Sequence, residues 1–349
     1  MNLDFYKDKK VFITGHTGFK GSWLTQIMLD SGAHVCGYAL NPKTEENHFD
    51  LLNIESRIEH VSGDIRDFDN LSKAILNFSP NIVFHMAAQA FVKDSYEDPY
   101  DTYETNVMGS LNVLKAINLC KSIKSVIYVT SDKCYENLEL DYGYKEDDRL
   151  GGHDPYSSSK ACAEILFSSF YRSYLQEKNI GIASVRAGNV IGGGDFSSNR
   201  IIPDCIRAIR KDKPIVLRHP LATRPWQHVL EPISGYILLA SKLYENPDEF
   251  SLSWNFGPNS NEIKTVLDVS RMIIDIYGKG EISEELERTN FHEAGLLALN
   301  CELANNKLGW TPNWSMEKTI ANTARWYKML DDGRPAAEIT SDQIEEYFQ

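Results

Sequence analysis

Residues 11–22 constrain the fold of this chain more than any other stretch. They read V-F-I-T-G-H-T-G-F-K-G-S, an apolar run that predicts a short buried strand, followed by Gly15, Gly18 and Gly21. A run with helical character continues to about Leu29. A strand, a glycine-rich turn and a helix in this order are typical of a dinucleotide-binding βα unit. An ordinary βα turn is the alternative, because this glycine pattern alone is a weak signal.

The glycines and their neighbours are predicted to form a cofactor site. The three glycines would serve a sharp turn, the approach of backbone N–H groups to a pyrophosphate, and close packing of helix on strand. The helix N-terminus adds unpaired N–H donors and the positive end of its dipole. Thr17 and Phe19 lie between the glycines and are predicted to contact the cofactor as well.

Strand-like and helix-like runs alternate as far as Arg186. Strands are predicted at 34–40, 58–61, 81–85, 125–129 and 182–186, and helices at 69–78, 98–121 and 156–178. This alternation predicts right-handed βαβ crossovers and a doubly wound parallel Rossmann sheet of the α/β class. Ligands bind such sheets at the carboxyl ends of the strands, so residues 15–21, 87–89 and 130–133 should lie close together.

Glycine and proline become frequent after Arg186, which indicates a second domain. We predict an NAD-binding Rossmann domain over 1–187, with a return segment near 228–257. A smaller mixed α/β substrate-binding domain would occupy 188–349, mostly 188–227 and 258–330. Helices are expected at 231–244, 264–277 and 315–330, and the polar tail from Asp331 is expected to be partly disordered.

Composition and charge exclude several classes of function. The net charge of −13, without Lys/Arg stripes, argues against a nucleic-acid partner. No apolar run approaches the roughly 18 residues of a membrane span, and the N-terminus has no apolar signal core. The six cysteines lack C-x-x-C spacing, which favours free thiols in a cytoplasmic protein and no metal site.

Tyr156 and Lys160 form the strongest catalytic motif. Residues four apart lie on one face of a helix, and a Lys ammonium beside a phenol lowers the Tyr pKa. Tyr156 is therefore predicted to act as a general base at neutral pH. A surface Tyr–Lys pair is the alternative, but this pair opens the helix that follows the strand end at Thr130–Lys133.

This combination resembles the extended short-chain dehydrogenase/reductase superfamily over nearly the whole chain. Several segments look more specifically like the CDP-glucose branch of the nucleotide-sugar 4,6-dehydratases. They are T-G-H-T-G-F-K-G-S-W at 14–23, T-N-V-M-G at 105–109, T-S-D-K-C-Y-E-N at 130–137, L-G-G-H-D-P-Y-S-S-S-K at 150–160, R-A-G-N-V-I-G-G-G-D at 186–195 and T-R-P-W-Q-H-V-L-E-P at 223–232.

The resemblance implies conversion of CDP-glucose to CDP-4-keto-6-deoxyglucose with bound NAD. Tyr156 would take the C4 hydroxyl proton while a hydride leaves C4 for the nicotinamide, and Ser131 would hydrogen-bond the C4 oxygen. Lys133 would remove the C5 proton, and Asp132 in its acid form would help the C6 hydroxyl leave as water. The stored hydride would then return to C6. The alternative for Asp132 and Lys133 is a solvated ion pair.

The resemblance also assigns residues to the cofactor. Lys160 would reach the nicotinamide ribose, and the remaining residues would contact the adenine or line the cofactor: Asp64, Ile65, Ala87, Ala88 and Gln89. A loop cap for Asp64 and tight packing for the alanines are the alternatives. The second strand end, C-G-Y-A-L-N-P at 36–42, lacks both the ribose-binding acid and an Arg for a 2′-phosphate. NAD rather than NADP is thus taken from the family.

The substrate phosphates need cations, and Arg suits them through its bidentate fork. Arg224 is the first choice, with Asn189 and Arg200 as further candidates and Arg288 as a weaker one. Residues His292 and Glu293 follow Arg288 in a segment to which no role is assigned. A homodimer through helices 98–121 and 156–178 is the family expectation.

Two other functions stay open from the sequence. A nucleotide-sugar 4-epimerase or 4-oxidoreductase of the same superfamily needs Tyr156 and Lys160, but does not need an acid/base pair such as Asp132 and Lys133. A non-catalytic binding or regulatory protein is disfavoured, because both Tyr156 and Lys160 are present.

Overall fold

The computed structural model describes residues 2–140, 142–258, 264–286 and 297–349. The strands of this part of the chain are β1 (Lys10–Thr14), β2 (His34–Ala39), β3 (Glu59–Ser62), β4 (Ile82–His85), β5 (Ser125–Val129), β6 (Gly181–Arg186), β7 (Val190–Ile191), β8 (Ile215–Leu217), β9 (Thr223–Arg224), β10 (Gln227–His228), β11 (Ser253–Asn255), β12 (Lys264–Thr265) and β13 (Ile282–Leu286). The helices are α1 (Phe19–Asp30), α2 (His48–Leu51), α3 (Phe68–Phe78), α4 (Val92–Glu97), α5 (Pro99–Tyr103), α6 (Ser110–Leu119), α7 (Pro155–Phe170), α8 (Ile201–Arg210), α9 (Leu230–Glu245), α10 (Pro247–Phe250), α11 (Val266–Tyr277), α12 (Met316–Asp331) and α13 (Ala336–Phe348).

A seven-stranded sheet in the order β11-β6-β5-β4-β1-β2-β3 forms the centre of the molecule. All of its neighbouring strands pair in parallel. Helices cover both faces, so Val11, Phe12 and Ile13 of β1 are all fully buried and read as a continuous apolar run. The predicted α/β class, with a doubly wound parallel Rossmann sheet, is confirmed.

The second half of the chain contributes to the main sheet and also builds smaller units. β11 pairs with β6, and α9 packs against β5 and β6. Three two-stranded sheets, β7 with β10, β9 with β12 and β8 with β13, lie outside the main sheet. The division of the chain at residue 187 stays a prediction.

The predicted helix over 98–121 is helical but not uniform. α5 and α6 are joined by a wide π turn at Glu104–Gly109. This turn places the side chain of Asn106 in the interior, where it binds the loop after β4 and the helix α7. Such π turns often occur at functional sites. Among the described residues, no helix is both long and apolar enough to cross a membrane.

The expectation of a partly disordered tail from Asp331 is wrong. The segment contains α13, which buries Ile339, Ile344 and Tyr347 against the protein. The Tyr347 hydroxyl also donates to the buried Glu231 carboxylate at 2.6 Å. The polar composition hid apolar residues spaced three to five apart, which form one face of a helix.

Replacing Ile339 by Ala is expected to lower the free energy of unfolding by about 2–5 kcal/mol, because a buried side chain leaves a cavity. The exposed Glu345 on the same helix is the control, and its replacement by Ala should change stability by less than about 0.5 kcal/mol. Urea denaturation measures both. Equal, small effects would show that α13 contributes little to stability.

Candidate active site

A cavity of about 1550 Å³ lies at the carboxyl ends of the strands of the main sheet. It is larger than the roughly 300–1,000 Å³ of a single small-molecule site, so two ligands fit. The structure brings almost all of the predicted site residues to its walls: Gly15, Thr17, Gly18, Phe19, Gly21, Asp64, Ile65, Ala87, Ala88, Gln89, Ser131, Asp132, Lys133, Tyr156, Lys160, Asn189, Arg200 and Arg224. Arg288, with His292 and Glu293, lies outside the described residues. The individual roles stay predictions.

The glycine turn has the geometry of a phosphate site. Gly15 has a φ of +77°, and a β-carbon on it would lie 2.7 Å from the backbone nitrogen of Ala87. A β-carbon on Gly21 would overlap the Gly15 carbonyl oxygen, so α1 packs directly on the turn. Gly18 caps α1 without a side-chain hydrogen bond, which leaves first-turn N–H groups available to an anion.

Arg66 holds the predicted adenine loop in place. It donates to both Asp64 carboxylate oxygens, through its backbone N–H and its guanidinium, at 2.6–2.9 Å. Burial alone would raise the pKa of Asp64, but these contacts lower it. Arg66 also forms ion pairs with Asp101 and Glu104 on the helical run after α4. The role of Arg66 could not be predicted from the sequence, because Asp101 and Glu104 are distant from it along the chain.

Asn106 links two walls of the cavity. Its side-chain oxygen accepts from the Gln89 N–H at 2.9 Å, and its amide donates to the Gln89 carbonyl at 3.0 Å and to Ser159 at 2.9 Å. Ser159 in turn donates to the carbonyl of Tyr156 at 2.7 Å. Asn106 therefore positions the loop after β4 relative to the first turn of α7.

Tyr156 and Lys160 lie on α7, which begins at Pro155 and is capped by Asp154. The Lys160 ammonium is 5.9 Å from the Tyr156 ring centre. Burial raises the pKa of Tyr156 to about 12, while a hydrogen bond with Ser131 acts in the opposite direction. The predicted lowering of the Tyr156 pKa by Lys160 is therefore wrong for the protein alone. With this pKa, the phenol is protonated at neutral pH in the protein alone.

Ser131 and Asp132 form a compact pair at the end of β5. Both side chains are buried, and the Ser131 hydroxyl donates to Asp132 Oδ1 at 2.9 Å. The Ser131 oxygen accepts from the backbone N–H of Lys133 at 3.2 Å, which fixes the turn. Lys133 lines the same cavity and is less buried. An acid, a hydroxyl and an amine thus share one wall with Tyr156.

A buried ion pair connects α7, which carries Tyr156, to the strands beside it. Glu164 Oε2 lies 2.8 Å from Arg186 Nη2, and both side chains are almost completely buried. Glu164 also accepts hydrogen bonds from Thr130 and Ser184, so it joins α7 to β5 and β6. Burial alone would raise the pKa of Glu164, but the charge of Arg186 lowers it.

The cavity concentrates positive charge in an acidic protein. Burial and the charge of Arg200 lower the pKa of Lys20 to about 8. Burial and the charge of Lys20 likewise lower the pKa of Lys160 to about 8. Because these cations repel one another, an anionic ligand that binds between them is favoured. Lys20 was missed from the sequence, although it lies within the glycine stretch.

The three substrate candidates line the same cavity. Arg200 lies 3.6 Å from Asp195, and its guanidinium stacks on the Phe91 ring at 5.2 Å. Arg224 donates to its neighbour, the Thr223 carbonyl, at 2.8 Å. Asn189 has a φ of +52°, and its carbonyl accepts from Gln227. Among the described residues, no group of acidic, His or Cys side chains has the arrangement of a metal site.

Comparisons with known proteins show which family the chain is similar to. The family model for GDP-mannose 4,6 dehydratase matches residues 12–323. A CDP-glucose 4,6-dehydratase of Salmonella typhimurium is 44% identical over 100% of this chain and 98% of its own. A UDP-glucose 4-epimerase of Halalkalibacterium halodurans is 24% identical over 91% of this chain and 95% of its own.

Solved structures share the fold. A dTDP-glucose 4,6-dehydratase from Bacillus anthracis, in complex with NAD, superposes with a TM-score of 0.77 at 23% identity, over 93% of this chain and 98% of the other. A UDP-glucose 4-epimerase from Thermus thermophilus, also with NAD, has a TM-score of 0.77 at 24% identity, over 90% and 98%. The chain belongs to the GDP-mannose 4,6-dehydratase family and, within it, to the CDP-glucose 4,6-dehydratase branch that its motifs predicted.

Proposed function

We propose that this protein converts CDP-glucose to CDP-4-keto-6-deoxyglucose with NAD as its cofactor. The observation that carries the proposal is the Ser131–Asp132–Lys133 turn on the same cavity wall as Tyr156. A 4-epimerase would need only the tyrosine and lysine of α7. The substrate itself is taken from the 44% identical relative, which is named for CDP-glucose.

The cavity suits a dinucleotide cofactor. The uncapped N-terminus of α1 and the cations Lys20 and Lys160 favour a pyrophosphate. Asp64 and Ile65, at the far end of the same cavity, would bind the adenine. When bound, NAD supplies the chemistry of taking a hydride from C4 of the sugar and returning it to C6.

Tyr156 in its phenolate form would accept the proton of the C4 hydroxyl, since its side chain lies within the cavity beside Ser131. Ser131 would orient the C4 oxygen by turning toward it the hydroxyl proton that Asp132 Oδ1 accepts in the protein alone. Oxidation at C4 makes the C5 proton acidic. Lys133 in its neutral form would remove it, and Asp132 in its acid form would protonate the departing C6 hydroxyl.

The phosphates of the nucleotide sugar would bind at the substrate candidates of the cavity, Arg200, Arg224 and Asn189. Arg200 and Arg224 would provide the charge, and Asn189 would add a hydrogen bond. Within the described residues, the ion pair of Arg200 is a long one, 3.6 Å to Asp195, which leaves the guanidinium donors for a phosphate. This arrangement directs the sugar toward α7 and the end of β5.

Replacing Asp132 by Asn together with Lys133 by Ala separates dehydration from oxidation. We expect the 4-keto-6-deoxy product to fall by ~10²-fold or more, because proton transfer contributes about 10²–10⁴ to rates of this kind. Cofactor reduction in the presence of CDP-glucose should persist, since Tyr156 and Lys160 are intact. Mass spectrometry of the sugar and nicotinamide absorbance report the two steps. Full product formation by the double variant would contradict the assigned roles.

We propose that the protein assembles as a homodimer through the helical runs 99–119 and 155–175. These carry exposed apolar side chains that a second copy would cover: Tyr100, Met108, Leu119, Ile165 and Tyr174. Light scattering should give twice the mass of the chain, and a monomer mass would reject this arrangement. Six free cysteines support a cytoplasmic location.

A further inference from the structure

Gly188 lies directly against the carboxyl group of Asp132. A β-carbon added to Gly188 would overlap Oδ2, Cγ and Oδ1 of Asp132. Gly188 has no positive φ, so its backbone would accept another residue without strain. Position 188 therefore has no space for a side chain, because the Asp132 carboxyl occupies that space.

The backbone around Gly188 is held from both sides. The Gln227 side-chain amide donates to the Gly188 carbonyl at 3.1 Å and to the Phe256 carbonyl at 2.9 Å. The Phe256 N–H donates to the Arg186 carbonyl at 2.9 Å, and the Gln227 N–H donates to the Asn189 carbonyl at 3.2 Å. A β-carbon at position 188 would thus meet a backbone that resists displacement.

The carboxyl group is the part that would move. Its other restraint is the hydrogen bond from Ser131 to Oδ1. A substituent on Gly188 would push the carboxyl away from the end of β6 and pull it from Ser131. The turn at 132–134 is held by the hydrogen bond from the Lys133 N–H to Ser131, and the first turn of α7 by its Asp154 cap.

We propose that Gly188 is a positioning residue for the dehydration step, because it fixes the Asp132 carboxyl at the place from which it protonates the leaving hydroxyl. The assignment rests on the proposed function of Asp132. Gly188 lines the same cavity, and the three atoms nearest an added β-carbon all belong to Asp132. It belongs to the R-A-G-N-V segment, for which the site otherwise gives the glycine no role.

The test is Gly188→Ala, assayed for both steps with CDP-glucose. Reduction of the cofactor should stay within about twofold of the wild type, while water loss falls by ~10²-fold or more, as for loss of an acid catalyst. Gly257→Ala is the matched control, because its β-carbon would meet its neighbours only at ordinary distances of 3.4–3.8 Å. It should leave both steps unchanged.

Two double variants separate positioning from a general structural effect. In the Asp132→Asn background, Gly188→Ala should cause no further loss of water elimination. Asp132→Ala should restore the urea midpoint that Gly188→Ala lowers, because it removes the overlapping atoms, and this cycle remains informative if the single variant folds poorly. The proposal would be overturned by any of three results. They are a further loss of water elimination in the Asp132→Asn background, an unrestored urea midpoint in the Asp132→Ala background, and full dehydration by Gly188→Ala. A wild-type enzyme that never dehydrates CDP-glucose would instead refute the proposed function.

Discussion

Tyr156→Phe is expected to abolish both cofactor reduction and product formation, with a fall in kcat of ~10²–10⁴. The substitution removes only the phenolic hydroxyl. The first turn of the helix is held by the Asp154 cap and by the Tyr156 N–H, which donates to the Ser95 hydroxyl. Structure should therefore be preserved. Single-turnover absorbance of the reduced nicotinamide measures the first step directly.

Tyr142→Phe is the matched control, because the Tyr142 side chain is exposed and does not line the cavity. It should leave turnover unchanged. If Tyr156→Phe still reduced its cofactor at the wild-type rate, another group would have to accept the C4 proton, and the role of α7 would need to be reassigned.

Arg186→Met should have the largest effect on stability, a loss of about 3–5 kcal/mol near neutral pH. The substitution leaves the Glu164 carboxylate buried without its counter-ion, although Thr130 and Ser184 still donate to it. Arg186 also donates to Tyr135 and to the Glu146 carbonyl, so its removal frees further buried acceptors. Urea denaturation gives the difference from the wild type.

The sign of the pH dependence follows from Glu164. Its pKa is lowered in the native wild type, so that protein loses this contribution as pH falls. Without Arg186, burial raises the pKa of Glu164, so the variant loses stability as pH rises. The gap between the two proteins should therefore shrink toward acid pH. Lys279→Met is the control, because Lys279 forms an exposed ion pair with Asp212. It should lower the free energy of unfolding by less than about 1 kcal/mol. An equal loss for Arg186→Met and Lys279→Met would show that the buried ion pair is no more important for stability than the exposed one.

Local patterns were enough to predict the framework of the site. The glycine spacing placed the βα turn, and the four-residue spacing of Tyr156 and Lys160 placed both on one face of α7. The rule that ligands meet parallel strands at their carboxyl ends then brought three distant segments together. The fold class and family followed from the same segments.

Contacts between distant residues could not be read from the sequence. Arg66 meets Asp101 and Glu104 across more than thirty residues, and Asn106 reaches Gln89 and Ser159 only because the helix widens into a π turn. The pKa of Tyr156 was predicted from its lysine alone, whereas burial has the larger effect. The tail after Asp331 was wrongly predicted to be partly disordered, because its polar composition was given more weight than the helical spacing of its apolar residues.

The most direct test of the account is mass spectrometry of CDP-, dTDP-, GDP- and UDP-glucose after incubation with the enzyme and NAD. The account predicts that CDP-glucose loses one molecule of water and that the nicotinamide is oxidised again at the end of the reaction. A product of unchanged mass, as an epimerase would give, or the loss of water from another nucleotide sugar in preference to CDP-glucose, would contradict it.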